Sequence, residues 1–156
     1  MSGALEGSDL SSIQQKIHSD LAAQGWSWIW AFDPDVDHSP FAYSIGFGST
    51  FDHPEVIVAG LPEETSGSVL SSVRAMLAEG RTYGDGDVSD DILEGFTVQF
   101  RAIPQDLLIA NLVQASVFYG ERSFGGLQLV WPDRDGNFPG EEGTPTWLSN
   151  RQALSM

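Results

Sequence analysis

The chain has 156 residues, 41 % of them hydrophobic, with 9 Phe, 5 Trp and 3 Tyr, enough apolar side chain for one core that buries roughly two-thirds of the unfolded surface. Acids outnumber bases 22 to 7, a formal charge of −15, which opposes binding to phosphate backbones and anionic membrane and favours cationic partners. Cysteine is absent, so disulfides, thiol catalysis and thiolate metal sites are excluded.

One domain over residues 1–156 is expected, with loose ends at 1–7 and 148–156. From Asp9 to Gln24 the apolar residues Leu10, Ile13, Ile17 and Leu21 recur at helical spacing, with Ser8 or Asp9 placed to cap the start and Gly25 to close the end. In Trp26-Ser-Trp-Ile-Trp-Ala-Phe32 the aromatics alternate, the two-residue period of a strand with one aromatic face. The run from Asp33 to Pro40 holds two prolines and three acids and reads as a loop.

A second strand is expected over Phe41–Phe47, with Phe41, Tyr43, Ile45 and Phe47 on one side and Ala42, Ser44 and Gly46 on the other. Its small face suits close packing or a ligand. Thr50 to Pro54 turns the chain into a third strand, Glu55–Leu61. Pro62-Glu-Glu opens a helix that presents Val69, Leu70, Val73, Met76 and Leu77 before Gly80. Residues 83–94 read as an exposed acidic loop, Phe96–Ile103 as a strand, and Pro104 to about Tyr119 as a third helix. A short strand over Leu127–Trp131 follows, and the tail after Asn137 is expected to pack, if at all, by Phe138 and Trp147. This order is that of an α+β single-domain layer sandwich, a mostly antiparallel sheet of about five strands with about three helices.

Metal and cofactor templates are not met. Asp33, Asp35 and Asp37, or Asp133, Asp135 and Asn137, place oxygens at alternate positions, but the glycine and the bidentate glutamate of a calcium loop are missing. His18, His38 and His53 lack the spacing of a zinc pair on a helix. No nucleophile elbow or phosphate-binding glycine loop occurs, so neither a metal nor a cofactor is expected. No apolar run reaches the ~18 residues of a bilayer span, and the N-terminus lacks a basic start and an apolar core, so a cytoplasmic protein is expected.

Two segments are chemically dense. In Asp52-His-Pro-Glu55 an imidazole stands between carboxylates whose charge would raise its pKa. In Trp131-Pro-Asp-Arg-Asp-Gly-Asn-Phe-Pro139 one base stands among acids, as in a turn held by an internal Asp–Arg pair. These pieces, with Phe41-Ala-Tyr-Ser-Ile-Gly-Phe-Gly, Gly60-Leu-Pro62 and Leu127 to Asp133, resemble the bacterial family labelled domain of unknown function 4262, from about Gly25 to Pro139. Ser44 departs from the threonine common there, and Gly140 from a second aromatic. The resemblance implies a single domain and carries no activity.

Two functions are left open, with a third behind them. One is a non-catalytic acidic interaction or regulatory module that binds a basic protein partner rather than nucleic acid or membrane. The other is a small-molecule or hydrolytic site where the Tyr43 strand, His53-Pro-Glu55 and the Trp131–Phe138 loop converge. There His53 would be the general base, Glu55 or Asp133 its orienter, Arg134 an anion clamp, and Tyr43, Ser44 and Trp131 ligand contacts. The third is an inhibitor that imitates nucleic acid.

Overall fold

The computed structural model of the chain describes residues 2–31 and 40–153, with side chains from residue 12 onward in the first helix. Helix α1 already begins at Ser2, so the expected start capped by Ser8 or Asp9 is corrected: both lie within the helix. The side chain of Leu10, Phe32, and the acids Asp33, Asp35 and Asp37 with His38 lie outside the described residues.

The elements in chain order are α1 (Ser2–Gln24), β1 (Ser27–Ala31), β2 (Phe41–Ile45), α2 (Phe47–Phe51), β3 (Glu55–Ala59) and α3 (Glu63–Ala78), then β4 (Val88–Leu93), β5 (Phe96–Ala102), α4 (Gln105–Asn111), α5 (Val113–Tyr119), β6 (Gly126–Val130) and α6 (Thr146–Gln152). The strands form one sheet in the order β1-β2-β3-β6-β5-β4. Every pairing is antiparallel except β3 with β6. The fold is therefore a mixed α+β sandwich in a single domain, with a mostly antiparallel sheet.

Alternation along the strands builds two cores, because successive side chains leave a strand on opposite faces. On one face Ala42, Val56, Val58, Val98, Phe100, Leu127 and Leu129 meet Val69, Leu70, Val73 and Leu77 of α3, and Trp28 and Trp30 pack against them. On the other, Phe41, Tyr43, Ile45, Ile57 and Ala59 meet Ile17 of α1, Leu108 of α4, Leu112 between α4 and α5, and Ala115 of α5. β3 has every residue buried, as its Glu-Val-Ile-Val-Ala run requires of a strand covered on both sides.

Several expectations are corrected. Phe47 does not continue the Tyr43 face: Gly46, at φ 111, turns the chain into α2, and Phe47 joins the opposite core beside Trp26. The stretch 83–94 contains β4, an edge strand held by β5, so its acids lie on a strand as well as on turns. The expected helix up to Tyr119 is two helices, broken at Leu112 (φ −95, ψ 61), whose buried side chain belongs to the core. At the C-terminus α6 packs through Leu148, which is fully buried, while Trp147 remains half exposed. No described helix is long and apolar enough to cross a membrane.

Candidate functional site

Glu55 is the most deeply enclosed acid among the described residues, with 0 % of its surface exposed. Its position follows from the turn before it. Gly46 reverses the chain out of β2 so that the first amides of α2 point back at the start of β3. Glu55 Oε2 accepts from Gly46 N–H at 3.0 Å and Gly48 N–H at 3.3 Å, and Oε1 from Phe47 N–H at 3.2 Å. The Ser44 hydroxyl donates to Oε1 at 2.7 Å while accepting Val56 N–H at 2.9 Å, and the Tyr119 hydroxyl donates to Oε2. With no ion pair to it among the described residues, the buried carboxylate is tolerated because donors replace its water shell. Burial pushes the Glu55 carboxyl above its ordinary value, while the bonds from Tyr119, Ser44, Gly46 and Gly48 pull the other way. Tyr119 is in turn raised, by burial and by the Glu55 charge.

His53 does not pair with Glu55. Its Nε2 accepts Tyr83 N–H at 2.9 Å, and its Nδ1 lies 2.7 Å from the Pro54 carbonyl, which accepts only if Nδ1 carries the proton. The ring is thus a neutral tautomer with both nitrogens in use. Burial lowers its pKa, against the pull of the Pro54 and Tyr83 bonds. This reverses the expected rise from neighbouring acids: Asp52 faces solvent and Glu55 is enclosed elsewhere.

The remaining candidates are not brought together with His53. Tyr43 lies in the α1/α5 core, its hydroxyl accepting Gln114 N–H at 3.0 Å, and its pKa is raised to about 12 by burial. Trp131 lies in the α3 core and donates from Nε1 to the Ala59 carbonyl at 2.8 Å. Asp133 Oδ1 accepts the amides of Asp135 and Asn137, both at 2.9 Å, and so closes its own turn. Arg134 is exposed and forms no ion pair with Asp133, so the expected Asp–Arg clasp is replaced by side-chain-to-backbone bonds. The convergence of the Tyr43 strand, His53 and the Trp131–Phe138 loop on one pocket is not what the fold produces. Ser44 and Glu55 are joined, but inside the core.

What His53 does share is a cleft of about 350 Å³ between the α2–β3 turn and the α5–β6 loop, lined by Gly48, Ser49, Asp52, Tyr119, Arg122, Ser123, Phe124 and Gly125 together with Pro54. Tyr119 and Phe124 stack at 4.7 Å and form an aromatic wall. Arg122 is fixed at the rim: Nε donates to the Tyr119 carbonyl at 3.1 Å and Nη2 to the Phe118 carbonyl at 3.2 Å, with the guanidinium over both rings. The sequence reading missed Tyr119 and Arg122, and took Asp52 only as a charge beside His53. Tyr119 stood at the end of a helix pattern, and no local signal ties it to Glu55. A glutamate opening an otherwise apolar strand was the signal that a buried donor set must exist. No group of three or more His, Asp or Glu able to hold a metal occurs among the described residues.

No curated protein matches the chain, and no solved structure does. A family model matches residues 20–145, a span that holds the Ser44–Glu55–Tyr119 network and the whole cleft. The chain belongs to the family described as Domain of unknown function (DUF4262).

Proposed function

We propose that this protein is a binding module that takes a small polar ligand in the cleft beside Tyr119, without hydrolysing it. The observation that carries this reading is the division of labour around the cleft. His53 and Glu55 are consumed by internal bonds and have no lone pair free for proton abstraction, whereas Arg122, Asp52, Ser49 and Ser123 are exposed at its rim. A rigid apolar wall with a few polar groups around it is the usual make-up of a small-molecule site, and the volume lies at the low end of the ~300–1,000 Å³ range of such sites. The test is an amide-resolved titration with mixtures of small organic acids, amines and amino acids. Shifts confined to Gly48, Ser49, Ser123 and Gly125 are expected. A screen in which every shift maps outside the cleft defeats the reading.

A second reading, an acidic module for a basic protein partner in the cytoplasm, is favoured by one observation. β4 is a sheet edge on which Asp90 and Asp91 are exposed, beside Val88 at 60 % and Phe96 at 41 % exposure. An extended Lys- and Arg-rich segment would add to that edge as a further strand. Reversing the charge of Asp90 and Glu94 should then abolish salt-sensitive capture of a poly-lysine peptide, and unchanged capture would discard this mode.

A further inference from the structure

We propose, on the reading of the cleft as a ligand site, that its ligand is a small zwitterion: a carboxylate against Arg122 and an ammonium against Asp52, with an apolar side chain against Phe124 and Pro54. The two charged groups line the same cleft, yet they do not pair. The only ion pairs among the described residues are Lys16–Asp20 and Arg81–Asp91. Arg122 is held by two carbonyls and two aromatic faces, none of which neutralises it, and Nη1 has no partner among the described residues. A guanidinium fixed in this way is prepared for a carboxylate, since its fork is oriented before the ligand arrives.

Asp52 is placed with similar economy. It ends α2 in the left-handed region, at φ 54 and ψ 47, with its amide on the Gly48 carbonyl at 3.1 Å. That backbone turn sets its side chain on the cleft rim, where no described residue donates to it. The net charge of the chain narrows the ligand further. At −15, the protein's field opposes a simple anion approaching Arg122 and draws simple cations to many sites alike. A zwitterion carries no net charge and satisfies both groups at once. The Tyr119–Phe124 stack, which lines the same cleft, then offers an apolar surface for the side chain.

The experiment titrates the full chain with L-phenylalanine, its carboxamide and hydrocinnamate, following the Gly48, Ser49, Ser123 and Gly125 amides. The amide has lost the carboxylate and hydrocinnamate has lost the ammonium. The expected result is that each binds about tenfold or more weakly than the amino acid, as loss of one charge-assisted bond implies. R122Q should remove the advantage of the amino acid over its carboxamide, and D52N its advantage over hydrocinnamate. Asn tolerates the left-handed backbone at position 52, so D52N should keep the fold. Equal binding of hydrocinnamate and phenylalanine, or a D52N protein that still discriminates, overturns the zwitterion while leaving a ligand site in place. If none of the three shifts those amides, the zwitterion is again overturned, and the broader ligand screen then decides separately whether the cleft binds anything.

Discussion

The Tyr119 hydroxyl donates to the Glu55 carboxylate across 64 positions of sequence, joining the last residue of α5 to the first of β3. This bond sets the cleft wall, because Tyr119 both lines the cleft and closes the ring of donors around Glu55. The same hydroxyl accepts Gly48 N–H at 3.1 Å, so α2, β3 and α5 are coupled through one oxygen.

Removing that oxygen should cost stability in proportion to what it leaves unpaired. Tyr119→Phe strips one donor from Glu55 while Gly48 keeps a carboxylate contact, so a loss of about 1–3 kcal/mol is expected in urea unfolding. Glu55→Ala leaves the amides of Gly46 and Phe47 and the Ser44 hydroxyl without their acceptor, a multiple burial of unpaired donors that should exceed about 4 kcal/mol. If the two variants lose equal stability, the carboxylate is not the centre of the network.

His53 should make the fold acid-sensitive, with a sign that can be worked out. Burial holds its folded pKa below its ordinary value of 6.5, so the folded state prefers the neutral ring. As pH falls below about 6.5 the unfolded chain takes up a proton that the folded chain resists, and stability is lost towards the lower folded value. Protonation also turns Nε2 into a donor facing Tyr83 N–H. The check is the unfolding free energy of wild type and His53→Gln between pH 8 and 5. The gap between them should close or reverse as pH falls, and the Tyr83 amide should lose exchange protection first. Parallel curves would show that His53 does not titrate in this window.

The layers were legible in the residues because burial acts through period. Trp28 and Trp30 alternate with Ile29, and the two sets do part to opposite cores, as do Ala42 and Tyr43. What escaped was whatever depends on backbone conformation or on distant partners. Phe47 extends the aromatic alternation of β2, and only the positive φ of Gly46 removes it from that face. β4 is hidden by its own acids, which an edge strand can keep in water. For the site, Ser44, His53 and Glu55 were singled out for reactivity, and the structure uses all three to satisfy buried bonds. Arg122 offered nothing to read, since its place depends on how α5 ends against β6.

Gly46→Ala should be among the most damaging single-methyl additions. At φ 111 an L side chain is strained by about 1–3 kcal/mol before any contact is counted. Its Cβ would also lie 2.4 Å from Leu21 Cδ1 and 3.1 Å from both the Gly25 carbonyl oxygen and Trp26 Cα, two backbone atoms that cannot swing away. The displaced turn would carry the Gly46–Gly48 amides off Glu55. Thermal unfolding should fall well below that of Gly136→Ala, which shares a positive φ but meets nothing within 4 Å. Comparable losses in the two would mean that backbone strain alone governs position 46.

The last residues of α6 hold the end of β6 by imitating a strand. The Gln152 side-chain amide accepts Trp131 N–H at 3.0 Å and donates to the Trp131 carbonyl at 2.8 Å, closing the two-bond exchange that a neighbouring strand would make. Its own carbonyl accepts from Gln128 Nε2 at 2.6 Å, so the helix is tied to β6 by side chain and backbone. Because Gln152 and Trp131 are buried, water cannot replace the lost bonds at no cost. Gln152→Ala should therefore destabilise by about 2–3 kcal/mol, two unmet backbone groups at about 1 kcal/mol or more each. Gln152→Glu retains the acceptor, loses the donor and places a carboxylate against the Trp131 carbonyl, so it should do no better at neutral pH and recover as the medium is acidified. Loss of Trp131 fluorescence anisotropy alongside the unfolding midpoint would report the release of α6. If Gln152→Ala unfolds like wild type, the carboxyl-terminal helix contributes through Leu148 alone.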